Sequence, residues 1–216
     1  MAVESEWVAS SELHGPAFEP VADPPPRLVL FGAVELAAAL SRLARAFGWR
    51  SYVVDPRERY LTHVRFPDAD GLIAAWPEEA FERLGGIDAS TAVAVLAHDP
   101  VLDDPALVIA LRSPAMFVGG MGSRRNQERR RARLMEEHGL SAEEVGRLSG
   151  PIGLDLGART AMETAMSILG EIVAVTHGRD GGRLGAGDGS IREPRAGDGS
   201  IREPRAGDGS IREPRA

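Results

Sequence analysis

Arg27-Leu-Val-Leu-Phe31, followed by Gly32-Ala-Val-Glu-Leu-Ala37, is the stretch that decides the fold. The first five residues form a short apolar run that stops at a glycine, which is how a buried strand reads. Beyond Gly32, Leu36, Leu40, Leu43 and Phe47 recur at helical spacing, and Gly48 closes that helix. A second strand follows at once, Ser51-Tyr-Val-Val54, ending at Asp55. A strand, a helix and a second strand in so short a span make a crossover unit with parallel strands.

The pattern repeats downstream. Gly71-Leu-Ile-Ala-Ala75, Thr91-Ala-Val-Ala-Val-Leu-Ala97 and Ala115-Met-Phe-Val118 read as three further strands. Helices are expected over 77–84, 105–112, 123–138 and 141–148, with Pro151 to Gly157 a loop or a final short strand. Ser141-x-x-Glu144 and Thr160-x-x-Glu163 are capping boxes. The last helix should bury Ala161, Ala165, Ile168, Ile172 and Val175. Strands apolar on both faces, alternating with helices, indicate an α/β, doubly wound, mostly parallel sheet of Rossmann-like type. In such sheets ligands bind beyond the carboxyl ends of the strands. Gly32 to Val34, Asp55, Trp76, His98-Asp99 and Gly119 to Ser123 fall there.

This organisation divides the 216 residues into three parts. Residues 1–26 are an extended lead-in ending in Asp23-Pro24-Pro25-Pro26. Residues 27–178 are the folded domain. Residues 179–216 are expected to be a disordered tail with three identical GDGSIREPRA copies, at 187–196, 197–206 and 207–216. One Ile per copy cannot build a core.

Composition removes many chemistries. All 25 Lys+Arg residues are Arg, there is no Cys, and the net charge is −7. Without Cys there is no thiolate nucleophile, redox pair or iron–sulfur cluster. Without Lys there is no Schiff base and no P-loop lysine. The acid excess argues against nucleic acid as a partner. No run of 18 apolar residues suggests a membrane span, and Met1 to Ser10 lacks a basic segment before an apolar one, so a cytoplasmic location is expected. No His partner lies at metal-ligand spacing from His98, so no metal site is expected. No nucleophile-and-base arrangement stands out, and no residue is assigned a catalytic role.

Two stretches suggest anion chemistry. Gly32-Ala-Val-Glu-Leu-Ala37 keeps the first Gly and last small residue of a dinucleotide fingerprint, but Val34 replaces the middle Gly and Glu35 puts negative charge where a pyrophosphate would sit. Asp55 stands 23 residues after Gly32, where a ribose hydroxyl acceptor belongs. Gly32 therefore reads either as a damaged NAD(P) site or as a tight turn. Gly119-Gly-Met-Gly-Ser-Arg-Arg125 feeds a helix N-terminus, and Ser123, Arg124 and Arg125 are the anion-binding candidates. Arg129 to Arg133 read as a solvated helix face with local ion pairs. His98 reads either as a ligand contact or as a structural hydrogen-bonding residue. Asp103-Asp104 are expected to cap the following helix.

Six separated motifs then stand in order: Leu30-Phe-Gly-Ala33, Val53-Val-Asp-Pro-Arg57, Arg65-Phe-Pro-Asp-Ala-Asp70, Ala97-His-Asp-Pro100, Gly119-Gly-Met-Gly-Ser-Arg-Arg125 and Pro151-Ile-Gly-Leu-Asp-Leu-Gly-Ala158. Across 27–178 the chain resembles the C-terminal Rossmann domain of the XdhC/CoxI maturation factors. The resemblance implies an accessory protein rather than an enzyme. It would bind molybdenum cofactor transiently, assist its sulfuration with a cysteine desulfurase, and insert it into an apo molybdenum hydroxylase of xanthine or carbon monoxide dehydrogenase type. Carried over by motif, the cofactor-binding positions would be Gly32, Asp55, His98, Asp99, Gly120, Ser123, Arg124, Arg125 and Asp155. The resemblance also implies a separate chain supplying the family's N-terminal domain; a homodimer is expected because symmetric dimers are common. The other readings are an NAD(P)-binding oxidoreductase and a ligand-free interaction module.

Overall fold

Apolar residues in the central strands alternate between two cores, which is why these strands show no polar face. In a computed structural model, which describes Ala22 and residues 24–186, β1 (Arg27–Phe31) sends Leu28 and Leu30 to one side and Val29 and Phe31 to the other. All four are at most 1% exposed. The elements that follow are α1 (Glu35–Ala46), β2 (Arg50–Val54), β3 (Gly71–Ile73), α2 (Pro77–Arg83), β4 (Thr91–Val95) and α3 (Pro100–Leu111). Then come β5 (Phe117–Gly120), α4 (Arg124–Glu136), α5 (Ala142–Gly146), β6 (Leu148–Ser149) and α6 (Ala161–Thr176). The six strands pair in parallel in the order β3-β2-β1-β4-β5-β6. This is the doubly wound order expected of a Rossmann-like sheet. Helices α1 and α6 cover one face, through Leu40, Ile168, Leu169 and Ile172. Helices α2 to α5 cover the other, through Phe81, Leu107, Leu134 and Val145.

Several boundaries differ from the sequence reading. Helix α3 begins at Pro100, not at Pro105, and contains Pro105. The start is set by Asp99, whose carboxylate accepts the Val101 N–H at 3.0 Å, and by Pro100, which needs no N–H at a first helical position. Asp103 and Asp104 therefore do not cap the helix; they lie inside it, buried. Strand β5 starts two residues late and takes in Gly119 and Gly120, which pair with Ala94 and Val95. Leu148, expected at a helix end, pairs with Val118 in β6, and 151–157 is a loop. On α6, Val175 is 47% exposed while Leu169 and Ser167 are buried in its place.

Both expected capping boxes are present, at Ser141/Glu144 and Thr160/Glu163. Of the expected tail, 179–186 are described: the Arg179 N–H donates to the Ala174 carbonyl at 2.7 Å, and Leu184–Ala186 form a 3-10 turn. The three repeats, and residues 1–21 of the lead-in, lie outside the described residues. Among the described residues no helix is long and apolar enough to cross a membrane.

Candidate functional site

Strand order reverses between β1 and β4: the chain leaves β1 toward β2 on one side and returns to β4 on the other. That reversal opens a crevice at the carboxyl ends of the strands. Gly32 sits at its base with φ +112°, and a Cβ there would stand 2.9 Å from the Ala97 backbone nitrogen. Only glycine lets the β1 and β4 exits pass so closely.

The turn from β1 into α1 is filled by the chain itself. Asp55 is fully buried at the end of β2. Its Oδ2 accepts the Ala33 N–H at 2.9 Å and an Arg57 guanidinium N–H at 2.8 Å. Its Oδ1 accepts Arg57 through the backbone N–H at 2.9 Å and through Nε at 2.8 Å. Burial pushes the Asp55 carboxyl up, but the Arg57 and Ala33 donors outweigh it and hold the group below its ordinary value. Arg65 donates to the Ala33 carbonyl at 2.7 Å, and the Val34 N–H is bonded to the Gly32 carbonyl at 2.9 Å. The amides that would cradle a pyrophosphate are thus committed, and the carboxylate that would hold a ribose clamps the turn.

The exits of β4 and β5 are more open. His98 is exposed and has φ +58°, the left-handed region, alone among the described residues other than glycine. Such a conformation is uncommon for a non-glycine residue and clusters at binding sites. Asp99 is committed as the N-cap of α3. Ser123 caps α4, its hydroxyl accepting the Asn126 N–H at 3.3 Å. Arg124 and Arg125 are exposed, and neither side chain makes a hydrogen bond or ion pair among the described residues. Gly120 is buried in β5; its carbonyl accepts Gln127 Nε2 at 2.8 Å and the Ile152 N–H at 3.1 Å. A Cβ on Gly120 would meet Arg130 Nη1 at 2.5 Å, so this glycine admits the chain's own side chain. Asp155 is exposed on the loop that Ile152 anchors beside β5.

The Arg-rich helix departs from its expected role as a solvated face. Arg130, 6% exposed, donates to Asp103 Oδ2 at 3.0 Å, to the Met121 carbonyl at 3.0 Å and to Gln127 Oε1 at 3.0 Å. Arg133 forms a two-pronged pair with Asp104 at 2.8 and 3.0 Å. Arg131 donates to the carbonyls of Val145 and Leu148. Gln127, Arg130 and Leu134 are the buried stripe of α4, and a stripe that contains a guanidinium needs a carboxylate facing it. Asp103 supplies it. Burial pushes the Asp103 carboxyl up to about 6 despite Arg130, with the neighbouring Asp104 charge adding to the rise.

Sequence reasoning did not single out Arg65, Gln127, Arg130 or the Asp103–Asp104 pair as partners. A usable signal for α4 was present: Asn126, Arg129, Arg130 and Arg133 recur at helical spacing, and together with His98, Pro100 and Met121 they line a cleft of about 220 Å³.

Residues 28–172, more than half of the chain, match the family described as the XdhC Rossmann domain. A protein of Bacillus subtilis (strain 168) described as a probable xanthine dehydrogenase subunit is 31% identical over 170 residues, 76% of this chain and 49% of that protein. The molybdenum cofactor insertion chaperone PaoD of Escherichia coli (strain K12) is 30% identical over 149 residues, 69% of this chain and 40% of PaoD. The uncharacterized protein YqeB of the same strain is 31% identical over 159 residues, 74% of this chain and 29% of YqeB. A crystal structure of a xanthine dehydrogenase from Bacillus halodurans superposes with a TM-score of 0.60 at 28% identity, covering 72% of this chain and 44% of that one. The chain spans half or less of the length of each of these relatives.

Proposed function

The chain belongs to the XdhC family, and from that premise we propose that it is a maturation factor that binds molybdenum cofactor and hands it to an apo molybdenum hydroxylase. The observation that carries this reading is the division of labour at the carboxyl edge. The β1–α1 turn, where a dinucleotide would lie, is closed by Asp55, Arg57 and Arg65, whereas the β4 and β5 exits present uncommitted cationic and imidazole groups. A phosphorylated pterin suits the second arrangement, because a helix N-terminus flanked by guanidinium groups binds phosphate. His98, Ser123, Arg124 and Arg125 are the proposed contacts, with Asp155 on the adjoining loop. Gly32, Asp55, Asp99 and Gly120 shape the edge rather than touch the cofactor. The proposal includes sulfuration with a cysteine desulfurase, a xanthine or carbon monoxide dehydrogenase as recipient, a cytoplasmic setting and a homodimer.

Anaerobic thermal shift and co-purification with molybdenum cofactor, with NAD(H) and NADP(H) alongside, test it. The expected result is stabilisation by the cofactor alone. A ligand at 100 times its Kd adds about 2.7 kcal/mol, so its absence is measurable. Stabilisation by a dinucleotide alone would replace this reading with the oxidoreductase one. No response to any ligand would leave a ligand-free interaction module.

A further inference from the structure

The cleft lies between the β4–α3 turn and the first turns of α4. It has a floor, one wall and a rim. The floor is Arg130, 6% exposed, whose Nε has no hydrogen-bond partner among the described residues. Arg133 forms the wall and is held in place by Asp104. On the rim stand Arg129 and Asn126 on one side and His98, with its left-handed backbone, on the other. Among the described residues the Arg129 side chain makes no hydrogen bond or ion pair. No acidic side chain lines this space, and the neighbouring Asp103 and Asp104 pair with Arg130 and Arg133. Arg129 has no carboxylate at ion-pair distance among the described residues. Arg124 and Arg125 do not line the cleft. Its volume of about 220 Å³ lies below the ~300–1,000 Å³ of whole small-molecule sites, so it takes one group of a ligand.

We propose that this cleft is a phosphate-ester subsite, in which Arg129 and Asn126 bind the phosphoryl oxygens, Arg130 forms the charged floor and His98 closes the rim. Assigning that phosphate to the pterin cofactor rests on the maturation reading above; the subsite itself does not. The subsite moves the chief phosphate contact one helical turn along α4, from Arg124 and Arg125 to Arg129.

The test uses the full chain as wild type, Arg129→Ala, Arg129→Lys and the double variant Arg124→Ala/Arg125→Ala. Each is titrated calorimetrically with inorganic pyrophosphate and, anaerobically, with molybdopterin. The variants are first matched to wild type in melting temperature, which an exposed arginine should not alter. Loss of a charge-assisted contact is expected to weaken both ligands about tenfold in Arg129→Ala, with partial recovery in Arg129→Lys. The double variant should change binding less. Unchanged binding in Arg129→Ala, or no binding of either ligand to wild type, overturns the subsite. Pyrophosphate binding that depends on Arg129 without any uptake of molybdopterin supports the subsite and refutes the maturation reading.

Discussion

Replacing Arg130 by Met leaves the Asp103 carboxylate buried without its counter-ion. Their side chains are 8% and 1% exposed and meet at 3.0 Å, so water cannot step in for the lost guanidinium. Breaking such a pair from one side destabilises by about 3–5 kcal/mol. Part of that figure is the loss of the bonds to the Met121 carbonyl and Gln127 Oε1, about 1 kcal/mol each. The rest is the stranded charge, and it depends on pH, because the Asp103 carboxyl titrates at about 6. At pH 7.5 the full loss is expected. At pH 5 Asp103 is mostly protonated in the folded protein already, so the loss should shrink to about 2 kcal/mol. Urea unfolding followed by far-UV circular dichroism at both pH values measures the difference. The double variant Asp103→Leu/Arg130→Met removes both charges and should recover most of the loss, since buried pairs replaced by apolar side chains are often neutral or better. A loss below about 1 kcal/mol at pH 7.5 would refute the reasoning because it means the pair is solvated, and an equal loss at both pH values would refute it because Asp103 then does not change its ionisation between them.

Three further outcomes follow from the same geometry. Wild-type stability should carry a component that falls by about 3 kcal/mol as pH rises from 3.8 to about 6, because the folded protein keeps the Asp103 proton after the unfolded chain has lost it. Asp103→Asn should remove that component, and denaturation curves across pH 4–7 that match wild type in slope would contradict it. Gly32→Ala forces a side chain into a left-handed position 2.9 Å from the Ala97 nitrogen, and should destabilise by about 1–3 kcal/mol, read as a fall of several degrees in melting temperature. Ile168→Ala, at a site 0% exposed, should destabilise by about 2–5 kcal/mol, whereas Val175→Ala on the same helix should stay within about 0.5 kcal/mol by calorimetry.

Much of the fold could be read directly from the chain. The strand at 27–31, the helix after Gly32, the second strand and the parallel doubly wound sheet all follow from local periodicity, and the capping boxes follow from two-residue signatures. The misplaced features share one cause. Helix α3 begins five residues early because Leu102, Asp103 and Asp104 find buried partners, which outweighs the bond lost at Pro105. Strand β5 extends through two glycines because Ile152 and Arg130 occupy the space their side chains would need. At the candidate site, the position of each motif at the strand ends was legible, but the commitments of the side chains were not. Asp55 reads like a ligand acceptor until its four donors are seen, and Arg129 reads like its neighbours until Arg130, Arg131 and Arg133 are found occupied.

The sequence by itself determined five of the six strands, most of the helices and the parallel arrangement, because periodicity and capping act within a few residues of one another; β6, two residues at an edge, it did not. Tertiary structure alone decided which charges are committed and which are free. Arg130 and Asp103 stand 27 residues apart, and only the packing of α4 against α3 brings them together in a place water does not reach.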